Sequence, residues 1–265
     1  TMISIKKPCL ILCDIEGTTT SITFVKDCLF PYVRKNVKDY LFKNIDNEET
    51  LMDIQLLWEQ YEIDKDNDYS DLPHIIPFKN INANNDEMVL NDQINSIVDY
   101  VNWLMDYDRK VTSLKQLQGH IWRDGYNNGN IKGHIYDDVP IKFKEWIDDN
   151  GIVLGIYSSG SVFAQRLLFK HTTFGDLTKY ISHYFDTNVG GKQEADSYRK
   201  IVSQVNFPAD NILFLTDVSK EAKAAIEAGL MTVLLERDGT QLADKEREHY
   251  PYVAIHQCTS PYTSN

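Results

Sequence analysis

Apolar residues in this chain fall into two kinds of run. The first kind is short and unbroken: Pro8–Cys13 (PCLILC), Ile152–Tyr157 (IVLGIY), Tyr184–Phe185 with its flanks, Asn211–Thr216 (NILFLT) and Met231–Glu236 (MTVLLE). Each is about strand length, rich in Ile, Leu and Val and without polar alternation, the pattern of strands buried on both faces of a parallel sheet. The second kind is periodic. Val139–Asp149 carries Ile141, Phe143, Trp146 and Ile147; Ser161–Lys170 carries Val162, Phe163, Leu167 and Leu168; Ala195–Val205 carries Tyr198, Ile201, Val202 and Val205. Ser219–Ala228 is alanine-rich, and Gly229 suits its C-terminal cap. Strand, helix, strand, helix predicts an α/β fold, a doubly wound parallel sheet.

The first strand is separated from the second by about 140 residues, far more than a crossover needs. Val25, Leu29, Val33, Val37 and Leu41 recur at spacing four, with Pro31 placed to kink that helix or to start its second part. Leu51–Tyr61, Met88–Met105 and Val111–Asp124 read as further helices. The expected organisation is a core of residues 1–20 and 132–265, with residues 21–131 inserted as a helical cap between the first two strands. From about Asp64 to Asp86 the chain is rich in Asp, Asn and Pro, which predicts an exposed loop within the cap.

Composition narrows the function classes. With 265 residues and 42% apolar content the chain can bury a substantial core. A formal charge of −12 repels phosphate backbones and anionic lipid, which disfavours nucleic-acid and membrane-surface roles. No apolar run approaches the ~18–20 residues that span a bilayer. The opening TMISIKKPCLILCDIEG lacks the pattern of a secretory signal. Cys9, Cys13, Cys28 and Cys258 form no C-x-x-C pair and are read as reduced thiols. The expected address is the cell interior, cytoplasmic with the nucleus left open, and the absence of coiled-coil heptads makes a monomer the expected state.

Several motifs fail on inspection. Asp64, Asp66 and Asp68 open like a calcium loop, but Tyr69 replaces its glycine and Ile75 its closing glutamate, so a solvated loop is expected. Gly190-Gly191-Lys192 lacks the Ser/Thr of a P-loop, because Gln193 follows, and Asp186 stands in place of the first glycine. Ser158-Ser159-Gly160-Ser161 is no nucleophile elbow. The histidines show no zinc spacing, and Trp58, Trp103, Trp122 and Trp146 read as packing residues.

One constellation survives. Asp14-Ile15-Glu16-Gly17-Thr18-Thr19-Thr20 directly follows the first strand, and open α/β sheets bind ligands beyond the carboxyl ends of their strands. Alone, this segment reads equally well as a turn with an Asp cap. The second strand, however, ends in Ser158-Ser159-Gly160, hydroxyl and N–H donors at a helix start. The third leads to Lys192 on a glycine loop, and the fourth ends in Asp217 with Glu221 four residues on. Acid, hydroxyl, lysine and acid thus come from successive strand ends.

This order resembles the haloacid dehalogenase superfamily and, within it, the enolase-phosphatase family of methionine salvage. The resemblance is carried by DIEGTTT (Asp14–Thr20), FVKDCLFPY (Phe24–Tyr32), LQGHIW (Leu117–Trp122), YSSGS (Tyr157–Ser161), Gly191-Lys192 and FLTD (Phe214–Asp217). Most superfamily phosphatases carry D-x-D in the first motif; here the second acid is Glu16. The resemblance implies Asp14 as nucleophile and Glu16 as acid/base, with Ser158, Ser159 and Lys192 on the phosphate. It also implies one Mg²⁺ held by the Asp14 carboxylate, the Glu16 backbone carbonyl and Asp217. Glu221 either binds a metal water or orients Lys192, or is a plain salt bridge. The implied substrate is 5-(methylthio)-2,3-dioxopentyl phosphate, enolised and then hydrolysed. Phe24, Leu29 and Trp122 are candidate walls for its tail, with ordinary core packing the stronger reading for each. Three alternatives stand beside this: a phosphatase for another small ester, a metal-free carbon–halogen hydrolase, and a non-catalytic scaffold.

Overall fold

Six parallel strands form one sheet in the computed structural model, which describes residues 6–67, 69–77 and 87–255. They are β1 (Leu10–Cys13), β2 (Val153–Tyr157), β3 (His183–Phe185), β4 (Ile212–Thr216), β5 (Met231–Arg237) and β6 (Tyr252–Ile255). The order is β3-β2-β1-β4-β5-β6, so β1 lies inside the sheet with a crossover to either side, the arrangement that places a ligand cleft at the strand ends. Cys13 pairs with Ile156 of β2 and with Leu215 of β4, which brings Asp14, Tyr157 and Thr216 to the same edge. The first five strands match the unbroken apolar runs. β6 was not expected, because its YVAI is an edge strand whose first three residues are exposed and so lacks the signature of two-sided burial.

The apolar runs bury as expected. Leu10, Leu12, Tyr157, Tyr198, Ile201, Ile212 and Phe214 are wholly buried in one cluster, where helices α7 (Ala195–Val205) and α8 (Ser219–Glu227) cover the sheet. Each such side chain contributes about 1.5–3 kcal/mol through burial. Helix α6 (Val162–Lys170) starts at the Ser161 cap, whose hydroxyl accepts from the Ala164 N–H at 3.3 Å. The helix expected at Val139–Asp149 is α5 (Asp138–Lys144) followed by a π-helical turn, Glu145–Asp149. That register buries Val139 and Phe143 but leaves Ile141 67% exposed. A short charged helix, α9 (Asp244–His249), has no apolar period to announce it.

The chain divides into two compact units, one comprising residues Thr1–Asp27 with Lys132–Asn265 and the other Cys28–Ile131. The second is built from α1 (Phe30–Lys43), α2 (Glu48–Asp66), α3 (Glu87–Asp106) and α4 (Thr112–Asn127). Pro31 sits in the first turn of α1, where its missing N–H costs nothing. The Asn47 side chain caps α2 by accepting from the Glu49 N–H at 2.9 Å. Trp122 packs within the unit and donates its indole N–H to the Leu29 carbonyl at 2.9 Å.

The loop reading of Asp64 and Asp66 is corrected: α2 continues to Asp66. Asp64 is fully buried, accepting from the Tyr100 hydroxyl at 2.7 Å, the Arg109 guanidinium at 2.7 Å and the Gln60 amide at 3.2 Å. A tertiary cation and phenol thus override the local preference of an acidic, Asn-rich stretch for solvent. Asp68 and residues 78–86 of that stretch lie outside the described residues, as does Cys258. Cys9, Cys13 and Cys28 form no disulfide among the described residues. No described helix is long and apolar enough to cross a membrane.

Candidate active site

Asp14 leaves the end of β1 with its N–H donating to the Leu215 carbonyl at 2.9 Å, and its side chain is buried. The following residues close a tight turn in which the N–H groups of Thr18, Thr19 and Thr20 all donate to the Ile15 carbonyl. Gly17 is required in it: φ is +73°, and a β-carbon there would lie 2.2 Å from the Asp217 Oδ2. The missing side chain lets the Asp217 carboxylate sit directly against the turn that follows Asp14. His134 steadies the far end of the turn, accepting from the Ser21 N–H through Nδ1 at 3.1 Å. Burial holds that imidazole below its usual range, which preserves the neutral, accepting nitrogen.

Lys192 completes the cluster. Its ammonium lies 2.6 Å from Asp14 Oδ1 and 2.7 Å from Glu221 Oε2, with its side chain only 9% exposed. Thr216 donates its hydroxyl to the same Glu221 oxygen at 2.9 Å. Burial works against the Lys192 charge, but Asp14 and Glu221 outweigh it and hold the ammonium above its ordinary value. The Asp217 carboxyl is pushed up to about 7 by burial and then by the negative charge of Asp14 and Glu221. Glu221 is raised by burial and Asp14, against the pull of Lys192. Two buried acids thus share one lysine, with the half-buried Asp217 in their field, a local excess of negative charge in a low-dielectric setting.

That imbalance, with hard oxygen donors at Asp14 and Asp217 brought together where Gly17 makes room for the Asp217 carboxylate, suits a divalent cation bound by few carboxylates, backbone oxygen and water. Among the described residues no three His, Cys, Asp or Glu side chains gather as a metal cage. The expected site asks for only two carboxylates and the Glu16 carbonyl. Glu16 is half-buried and forms an isolated parallel bridge with Thr20 across the turn.

Ser158 is buried just beyond β2, its N–H donating to the Phe185 carbonyl at 3.2 Å and its hydroxyl accepting from the Gly160 N–H at 3.3 Å. Ser159 is exposed at the approach to α6. Two side chains that sequence reasoning left without a role tie this loop to its neighbour. Asp186 accepts from the Val162 N–H at 3.1 Å and the Asn188 N–H at 2.9 Å. Gln165 donates to the Gly160 and Phe185 carbonyls, each at 2.8 Å. The signal was present only for Asp186, an acid at a strand end. Thr216 lies in the FLTD motif but was given no role, and His134 and Gln165 carry no local pattern that marks them.

Comparison with known proteins follows the same line. No model of a known protein family matches the chain. Enolase-phosphatase E1 of Anopheles gambiae is 49% identical over 92% of this chain and 79% of its own length. Enolase-phosphatase E1 of Xenopus tropicalis is 45% identical over 91% and 90%. The crystal structure of UTR4 protein from Saccharomyces cerevisiae is 29% identical with a TM-score of 0.72, covering 93% of this chain and 97% of that one. Identity of 49% and 45% over about nine-tenths of this chain, and over 79% and 90% of the two relatives, shows that the chain belongs to the enolase-phosphatase E1 family.

Proposed function

We propose that the chain carries out the enolase-phosphatase reaction of methionine salvage, turning 5-(methylthio)-2,3-dioxopentyl phosphate into 1,2-dihydroxy-5-(methylthio)pent-1-en-3-one and phosphate. The observation that carries the chemistry is the Lys192 ammonium held 2.6 Å from Asp14 among an excess of buried acids. An anionic nucleophile meets an anionic phosphate ester only where fixed positive charge offsets both.

In this reading the Asp14 carboxylate attacks phosphorus and the ester oxygen leaves, giving an aspartyl-phosphate. Glu16 gives its proton to the departing oxygen. It then takes one from the water that splits the acyl-phosphate, which returns Asp14 and releases inorganic phosphate. Lys192 keeps its charge throughout, because two acids hold the proton on it. The Ser158 hydroxyl and the Ser159 N–H orient the phosphoryl oxygens. Mg²⁺, held by the Asp14 carboxylate, the Glu16 carbonyl and Asp217, supplies charge neutralisation to the phosphoryl group and the enolate when bound. Residues 21–131 are the helical cap inserted in the chain between β1 and β2, the enzyme works in the cytoplasm, and one chain suffices for activity.

A single time course on the dioxopentyl phosphate with Mg²⁺, following enediol absorbance and released phosphate together, tests the reading. Both signals rise, absorbance ahead of phosphate. Flat phosphate on this substrate with cleavage of generic phosphate esters overturns the substrate and keeps the phosphatase.

A further inference from the structure

Lys192 reaches its two acids from a loop that begins with two glycines, a poor anchor for a side chain that must hold one place. Gly190 has φ +135°, and a β-carbon there would lie 2.2 Å from the Ser197 hydroxyl, so this flexibility cannot be traded for a stiffer residue. The stiffness comes from elsewhere. At the end of β2, Tyr157 donates its hydroxyl to the Gly190 carbonyl at 2.9 Å. From the first turn of α7, Tyr198 donates its hydroxyl to the carbonyl of Lys192 itself at 2.6 Å. The loop is therefore held on both sides of Gly191.

The two rings brace each other. Tyr157 and Tyr198 meet edge to face at 5.5 Å between centroids, and Tyr198 meets Phe214 of β4 the same way at 5.2 Å. Both tyrosines are wholly buried. The Tyr157 ring also lies under the ammonium, 5.9 Å from Lys192 Nζ. Burial, with Glu221, Tyr157 and Asp14 nearby, pushes the Tyr198 phenol far above its ordinary value, so it remains a donor at any working pH.

We infer that Tyr198, with Tyr157, is a positioning residue that clamps the backbone around Lys192 and so holds the ammonium between Asp14 and Glu221. The inference rests on the reading of Lys192 as the cation that offsets nucleophile and phosphate. Neither phenol touches the reacting atoms in this scheme. They act through the lysine.

The test uses Tyr198→Phe and Tyr157→Phe in the full chain, each of which keeps the ring and removes one hydrogen bond. Lys192 acetylation by acetic anhydride, read by mass spectrometry against the other lysines, reports whether the ammonium has left its acids. Phosphate release reports the chemistry. In the parent, Lys192 is among the least labelled lysines. Tyr198→Phe raises its labelling about tenfold and lowers kcat about 10- to 100-fold, the scale of an ångström-level misplacement, with KM changed less. Tyr157→Phe moves both readouts the same way by less, and carries the test if Tyr198→Phe does not fold. A fall in turnover with Lys192 labelling unchanged overturns the clamp while leaving the lysine's role standing. A rise in labelling with turnover unchanged overturns the role of Lys192 itself, and the positioning role with it.

Discussion

Both units of this chain bury acids, and they treat them differently. In the helical unit, Asp53 is fully buried, 2.6 Å from the His120 Nδ1 and accepting from the Gln116 amide at 2.8 Å. Asp64 has Arg109, Tyr100 and Gln60. Glu49 takes the Arg123 guanidinium through both oxygens. Each acid there has its own cation or full set of donors, which is how a fold satisfies buried charge. In the α/β unit Glu236 likewise has Arg247, but at the strand ends Asp14 and Glu221 share Lys192, with the half-buried Asp217 in their field. The contrast is between acids whose charge is balanced and acids left in excess, and substitution at each tests whether it separates structural from chemical use of the same residue type.

The sharpest way to break this comparison is Asp14→Asn. With Asp14 as the proposed nucleophile, the substitution lowers phosphate release at least about 10³-fold. Because it also relieves repulsion at Asp217 and Glu221, the melting temperature stays at or above the parent's. A large loss of stability would make Asp14 a structural acid like Asp53. Next in size, a chelator stops turnover and added Mg²⁺ restores it and raises the melting temperature, since a cation bound only by the folded state stabilises it. Undiminished activity in chelator would mean that the excess charge has another purpose.

The opposite outcome is expected in the helical unit. Asp64→Asn strips Arg109 of its buried partner and costs about 3 kcal/mol of stability, read by urea unfolding. The smallest effect concerns Glu49. Arg123, against the cost of burial, holds the Glu49 carboxyl below its ordinary 4.5. Its contribution to stability is complete above that ordinary value and fades as pH falls through the lower folded value. Glu49→Gln therefore flattens the acid side of the melting-temperature profile below about pH 4.5, with little change at neutral pH.

Five strands of the sheet are legible because a strand buried on both faces is an unbroken apolar run, and β6 escapes because it is an exposed edge. The helices of the inserted unit are legible by their period. The stretch after Asp64 misled because local composition cannot register Arg109, which approaches from 45 residues away.

The site divides in the same way. Residues at strand ends announce themselves, since chain order alone places Asp14, Ser158, Lys192 and Asp217 after successive strands. The sequence by itself determined the parallel core, the inserted helices and the residue types collected at one edge, because burial period and strand order are local, one-dimensional properties. Only the tertiary structure decided that Thr216 and Lys192 share one Glu221 oxygen, that Gly17 makes room for Asp217, and that Tyr157 and Tyr198 hold a glycine loop in place. Those are contacts of a few ångströms, and the ones between different strand ends, Gly17 with Asp217, Lys192 with Glu221 and Tyr157 with Gly190, exist only once the sheet has brought those ends together.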